Sequence, residues 1–111
     1  MIEFNTIYNV PKINSESEIN INPLPSLMVF GAEWSALSHI LTQNIIELAF
    51  PYKDKLKVLS IDVDKNSEIK EKYGIREVPT LLFVKKEEIV DYLVGAVPKQ
   101  VIEDKLIEFI R

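Results

Sequence analysis

Residues 30–39 read FGAEWSALSH, and the fold of the chain can be inferred outward from them. Residues 27–30 form a continuous apolar run between a proline and a glycine, which is typical of a strand buried on both faces. After Ser35 the apolar residues recur at steps of three and four as far as Ala49, which predicts a helix with one apolar face. Ser35 is a good N-cap candidate for that helix. The stretch therefore predicts a strand, a turn that carries Trp34, and a helix.

The other elements of the chain follow from the same kinds of pattern. Residues 56–64 alternate in part and are rich in Val and Ile, which predicts a second central strand. Residues 66–73 predict a short charged helix. Residues 80–84 and 89–94 are apolar runs joined by four polar residues, which indicates a β-hairpin. The last helix is predicted to begin at Pro98.

The N-terminal part of the chain gives weaker patterns. Residues 2–10 predict a short edge strand, and residues 15–18 predict one capped helical turn that the following prolines end. The predicted order is strand, short helix, strand, helix, strand, helix, strand, strand, helix. Strands separated by helices imply parallel crossovers, and the final hairpin adds antiparallel strands. We therefore expect residues 1–111 to form a single α/β domain, with a central mixed sheet flanked by helices on both faces.

Composition limits the classes of function. Apolar residues make up 47% of the chain and charged residues 27%, as in ordinary globular domains. The net charge is −4, and no basic block suggests a nucleic-acid partner. No apolar run approaches the roughly 20 residues of a membrane-spanning helix, so we expect no membrane partner. The N-terminus lacks the pattern of a signal peptide, which favours a cytoplasmic protein.

Three blocks of sequence resemble the thioredoxin family. Residues 30–38 resemble the family's F-W-A-E-W-C-x-x-C, residues 72–82 its K-Y-G-I-R-x-[IV]-P-T-L-L, and residues 94–96 its V-G-A. The blocks keep the family's order and spacing, and the resemblance extends over roughly residues 26–111. It implies the thioredoxin fold and membership of a family of thiol-disulfide oxidoreductases that serve cell redox homeostasis.

The chain departs from the family at the redox centre itself. The family's two cysteines fall on Ser35 and Ser38, and the sequence contains no cysteine. Dithiol exchange requires one thiolate that attacks a disulfide and a second thiol that resolves the product. A helix N-terminus stabilises an anion by at most ~2 kcal/mol, which is about one and a half pKa units. That is too little to ionise an alcohol, so the catalytic positions Ser35 and Ser38 are expected to be redox-inactive.

Two hypotheses for this departure stay open. Val29 stands where the family usually has a buried Asp, and Ser60 where it has a buried Lys. The Gly-Pro between the two cysteines is not kept either. These further departures favour a naturally redox-inactive protein that binds clients. The alternative is an active thioredoxin represented by a Cys→Ser double mutant, whose natural form would also have a reductase partner.

The resemblance also implies a surface for extended peptide segments of client proteins. In the family, clients lie across the exposed Trp, the loop of a cis-proline and the V-G-A turn. The matching residues here are Trp34, Val78, Pro79, Gly95 and Ala96, and the predicted contact residues also include Ala36 and Leu37, the pair between the two redox positions. The resemblance implies that the peptide bond before the proline is cis.

Other chemistry is not predicted. Ser38 and His39 do not form a nucleophile and base, because neighbours on a helix do not face each other and no Asp is placed to orient the imidazole. Residues 62–66 are similar to the start of a calcium loop, but its required glycine and last carboxylate are missing. No metal, nucleotide or flavin site is recognisable, and we expect no cofactor.

Overall fold

The structure is a computed structural model that describes residues 24–111 of the chain. The strand and the helical turn predicted within residues 2–18 lie outside the described residues. In chain order the elements are β1 (Ser26–Gly31), α1 (Ala36–Ala49), β2 (Lys57–Asp62), α2 (Ser67–Lys72), β3 (Thr80–Lys85), β4 (Glu88–Val94) and α3 (Lys99–Ile110). Each element predicted within this part of the chain is present, with bounds that differ by a few residues at most.

The strand β1 lies inside the sheet. The four described strands are ordered β2-β1-β3-β4. β1 pairs with β2 in parallel and with β3 antiparallel, and β3 pairs with β4 antiparallel. All six residues of β1 are buried, which explains the unbroken apolar run of residues 27–30. The predicted mixed sheet is confirmed.

Two hydrophobic cores lie on opposite faces of this sheet. Successive side chains of a strand point to opposite faces, and in β1 Leu27 and Val29 belong to a core shared with α1 and α3. Met28 and Phe30 belong to the other core, which includes Ile69 of α2. The helices therefore cover both faces of the sheet, as the sequence predicts.

The helix α1 begins and ends close to the predicted positions. Ser35 is its N-cap, which confirms the prediction. The α-helix ends at Ala49, and Phe50–Tyr52 adds a single 3-10 turn that contains Pro51. The proline therefore ends the α-helical hydrogen bonding but not the turning of the chain, since its fixed φ suits a helical turn and its missing N–H is not needed there.

The burial of α1 can be tested with two isoleucines on the same helix. Ile45 is 0% exposed and Ile40 is 52% exposed. We expect Ile45→Ala to lower the free energy of unfolding by about 2–5 kcal/mol, because it removes core contacts and leaves a cavity. Ile40→Ala is the control and should change it by about 0.5 kcal/mol or less. Chemical denaturation measures both, and equal losses would contradict the packing described.

Candidate functional site

Ser35 holds the start of α1. Its backbone is extended, with φ −95° and ψ 108°, and its Oγ accepts a hydrogen bond from the N–H of Ser38 at 3.1 Å. Its carbonyl also accepts from the N–H of Ser38 at 3.1 Å. The side chain is buried. The first of the two family redox positions therefore serves here as a helix cap.

Ser38 ties the preceding loop to the helix. It is completely buried, and its Oγ accepts from the N–H of Ala32 at 3.3 Å. Its carbonyl accepts from the hydroxyl of Thr42 at 2.8 Å. The oxygen of Ser35 thus satisfies a donor of the first helical turn, where helices otherwise leave donors without partners, and the oxygen of Ser38 satisfies a buried donor of the preceding loop.

His39 braces the same turn. Its Nε2 lies 2.8 Å from the carbonyl oxygen of Glu33. Because a carbonyl only accepts, Nε2 carries the proton and donates. Within residues 24–111 the hydroxyl of Ser38 bonds to the N–H of Ala32 and not to this ring, so the two side chains are not joined as a nucleophile and base.

Trp34 is anchored at its edge and open at its faces. It is 71% exposed, and its Nε1 donates to Oδ2 of Asp64 at 2.7 Å. The contact follows from the parallel pairing of β1 and β2, in which Gly31 is opposite Asp62. The residues that follow the two strands therefore meet at one edge of the sheet. Sequence reasoning missed Asp64, although the predicted parallel order contained the signal.

A groove of about 470 Å³ runs beside Trp34. Its lining residues are Trp34, Val63, Asp64, Lys70, Arg76, Glu77 and Val78. The structure thus brings together two predicted site residues, Trp34 and Val78. Lys70, Arg76 and Glu77 were not predicted, because their place depends on how α2 and the following loop return to the strand ends.

The loop before β3 forms one side of this groove. The Val78–Pro79 peptide bond is cis. The ring of Pro79 is completely buried, and its carbonyl accepts from the N–H of Gly95 at 2.7 Å. Within residues 24–111 neither the N–H nor the C=O of Val78 has a hydrogen-bond partner. A peptide could therefore contact the Val78 backbone here, but not the proline ring.

The other predicted contact residues lie around this groove rather than in it. Ala36 and Leu37 are exposed on the first turn of α1, and Ala96 is exposed after β4. None of the three lines the groove. Gly95 is half-buried and takes part through its bond to Pro79.

Val29 and Ser60 are direct neighbours behind the site. They are paired in the register of β1 and β2, and both are buried. The Oγ of Ser60 has no hydrogen-bond partner in the described part of the chain. The two positions that the resemblance assigns to a buried Asp and Lys therefore hold an apolar side chain and an unsatisfied hydroxyl.

Neither metal clusters nor membrane helices are found in the part of the chain that the structure describes. No group of three or more His, Asp and Glu residues among residues 24–111 is arranged to hold a metal ion. No helix in the same range is long and apolar enough to cross a membrane.

Comparison with known proteins agrees with this architecture. Residues 7–108 match the family model for thioredoxin. The thioredoxin of Rickettsia bellii is 39% identical over 102 residues, which cover 92% of this chain and 93% of the relative. The thioredoxin of Porphyra purpurea is 34% identical over 105 residues, or 95% and 98% of the two chains.

A solved structure agrees as well. The thioredoxin of Malassezia sympodialis superposes with a TM-score of 0.79 at 25% identity, covering 91% of each chain. The fold and the site together define a thioredoxin-fold domain with serine at both redox positions. The chain belongs to the thioredoxin family.

The cap can be tested at Ser35. Ser35→Ala should lower the free energy of unfolding by about 1 kcal/mol, because the Ser38 N–H loses its side-chain acceptor. Ser35→Asn is the matched control, since asparagine caps about as well as serine. Thermal or chemical denaturation gives both values. Indistinguishable stability of the alanine and asparagine variants would contradict the capping role.

Loss of the hydroxyl should have different effects on stability at the two buried serines Ser38 and Ser60. Ser60→Ala removes a hydroxyl that has no partner within residues 24–111. The free energy of unfolding should therefore stay the same or rise, by about 3 kcal/mol at most. Ser38→Ala leaves the buried N–H of Ala32 without its acceptor and should lower stability by a similar amount. Destabilisation by Ser60→Ala as large as that by Ser38→Ala would show that the Ser60 hydroxyl has a partner in solution.

Proposed function

We propose that this chain is a redox-inactive binding module, which holds extended segments of client proteins in the groove beside Trp34. The observation that carries the proposal is the backbone of Val78, which lines the groove together with the exposed indole and has no hydrogen-bond partner within residues 24–111. We place this role in the cytoplasm, the compartment that the sequence favours.

The chemistry of the groove suits an extended peptide. Free backbone donors and acceptors can add a peptide as a further strand, and pockets for alternate side chains then give specificity. Val78 supplies the donor and acceptor, while Trp34 supplies exposed apolar surface. The bond from Trp34 to Asp64 fixes the indole before a peptide arrives, so less side-chain entropy is lost on binding.

The absence of thiols supports the redox-inactive half of the proposal. A dithiol reaction needs a sulfur nucleophile, and the sequence contains none. Ser35 and Ser38 instead accept hydrogen bonds from backbone donors. The site keeps the framework of the family and uses it to hold the helix start.

The second candidate is an active thiol-disulfide oxidoreductase, seen here as a Cys→Ser double mutant. The observation in its favour is that serine, close in size to cysteine, stands at both redox positions. Val29 and Ser60 count against it, because a double mutant at the site does not explain them. The coding sequence of the natural gene distinguishes the two candidates directly.

Binding can be tested with random peptides displayed on phage and selected on the immobilised protein. The selected peptides should bind in solution, and Trp34→Ala should weaken them about tenfold or more, since exposed Trp side chains at interfaces are frequent hot spots. Phe50→Ala is the matched control, because Phe50 is also an exposed aromatic but does not line the groove. Calorimetry gives the affinities. Equal losses in the two variants, or no selected peptide, would contradict the proposal.

The second candidate can be tested by restoring both cysteines. The double substitution Ser35→Cys and Ser38→Cys should fold and close a disulfide, and its reductase activity should be weak. Adding Val29→Asp should raise the rate, because general acid–base assistance is typically worth about 10²–10⁴-fold. The unaltered chain is the control and should show no turnover. Rates from the two cysteines alone as high as those of a thioredoxin would favour the double-mutant candidate.

A further inference from the structure

Within residues 24–111, one edge of the strand β4 is not covered by another strand. This strand is the last of the described sheet and pairs only with β3. The N–H of Gly95 donates to the carbonyl of Pro79 at 2.7 Å, so this pair of residues belongs to the bonded set of the ladder. Because bonded and non-bonded pairs alternate along antiparallel strands, Tyr92 and Val94 direct their N–H and C=O groups away from β3.

This edge is apolar and lacks the usual protection. Ile89, Val90, Tyr92 and Val94 are between 43% and 61% exposed. The strand contains neither lysine nor proline, the residues with which natural proteins commonly block an edge. Its β-branched and aromatic residues favour strand pairing. The edge does carry a β-bulge, which is one feature that disfavours pairing with another strand. The register shifts between Phe83 and Val84 of β3, and Val90 is the extra residue of β4.

One carboxylate occupies the free edge. Oδ1 of Asp91 accepts a hydrogen bond from the N–H of Tyr92 at 2.8 Å. Oδ2 of the same residue accepts from Nζ of Lys105 in α3 at 2.8 Å. Asp91 is thus held between the helix and the strand, and it covers one of the outward backbone donors. The hydrogen bond from Lys105 also keeps the pKa of Asp91 below its ordinary value.

We propose that the edge of β4 is able to pair with β4 of a second copy of this chain, and that Asp91 holds the unaltered chain as a monomer by opposing this pairing. A two-fold arrangement centred on Tyr92 lets the two Tyr92 residues exchange their N–H···O bonds. It places Val90 of one copy opposite Val94 of the other, and Asp91 opposite Leu93. In this arrangement the two Asp91 side chains lie diagonally across from each other on the same face of the paired strands. Their like charges therefore repel each other.

A second copy fits this edge better than an unrelated strand. The pairing is self-complementary, because each outward group of Tyr92 meets its complement in the other copy. The apolar side chains of residues 90, 92 and 94 meet each other on one face. Asp91 opposes this pairing twice, by covering the Tyr92 N–H and by repelling its own counterpart.

The test compares Asp91→Ala with Lys105→Met. Both variants lose the Asp91–Lys105 ion pair, so any general loss of stability is shared. Only Asp91→Ala uncovers the N–H of Tyr92. In sedimentation at increasing protein concentration, we expect Asp91→Ala to dimerise at least about tenfold more tightly than the unaltered chain, the order of change for one buried donor that gains a partner. Lys105→Met should stay monomeric.

A second substitution locates the interface. Val94→Pro removes an N–H that points outward, which a sheet edge tolerates. Added to Asp91→Ala, it should restore the monomer. Three results would overturn the proposal: an Asp91→Ala variant that stays monomeric at high concentration, a Lys105→Met variant that dimerises equally, or a dimer that Val94→Pro does not dissociate.

Discussion

The burial of β1 on both faces is the constraint on which the rest of the structure depends. A strand covered on both sides must be apolar throughout, and its neighbours must pair with it in a fixed register. In this chain the pairing with β2 sets Gly31 opposite Asp62. The segments that follow these residues carry Trp34 and Asp64. Because the two strands end at the same level of the sheet, the indole of Trp34 lies next to the carboxylate of Asp64.

Residues 35 and 38 stand at positions with two roles in the family, a structural role at the start of a helix and a chemical role in thiol exchange. Serine at both positions is compatible with the first role and not with the second. A helix start needs acceptors for its first N–H groups, and serine supplies them well. Thiol exchange needs a nucleophile that serine does not offer. Ser35 therefore caps the helix and Ser38 ties the preceding loop to it, and neither side chain supplies the thiol chemistry. Behind them, the neighbours Val29 and Ser60 contain no group that ionises near neutral pH. The serines at the redox positions and the non-ionisable residues behind them both disfavour a redox reaction. We therefore regard the site as a binding surface rather than a reaction centre.

Much of the fold follows from local patterns in the sequence. The apolar run of β1, the cap at Ser35 and the hairpin between β3 and β4 each depend on neighbouring residues, and each is found as predicted. The bond from Trp34 to Asp64 joins residues 30 positions apart, and the groove also needs Arg76. Such contacts depend on strand order and register. The role of Asp91 is more remote still, because it requires knowing which groups of β4 face outward. The assignment of Ser35 and Ser38 to the redox positions depends on the resemblance, since two serines at a helix start indicate a cap and carry no sign of redox chemistry.

The central claim is that the groove beside Trp34 is a binding surface that works without a redox reaction. The most direct test is the amide NMR spectrum of the isotope-labelled chain, recorded while a selected peptide is added in the absence of any thiol reagent. The claim requires that the largest shift changes fall on Val78 and on residues beside Trp34, including the indole N–H, with the far end of α1 unaffected. Changes centred elsewhere, or none at saturating peptide, would contradict it.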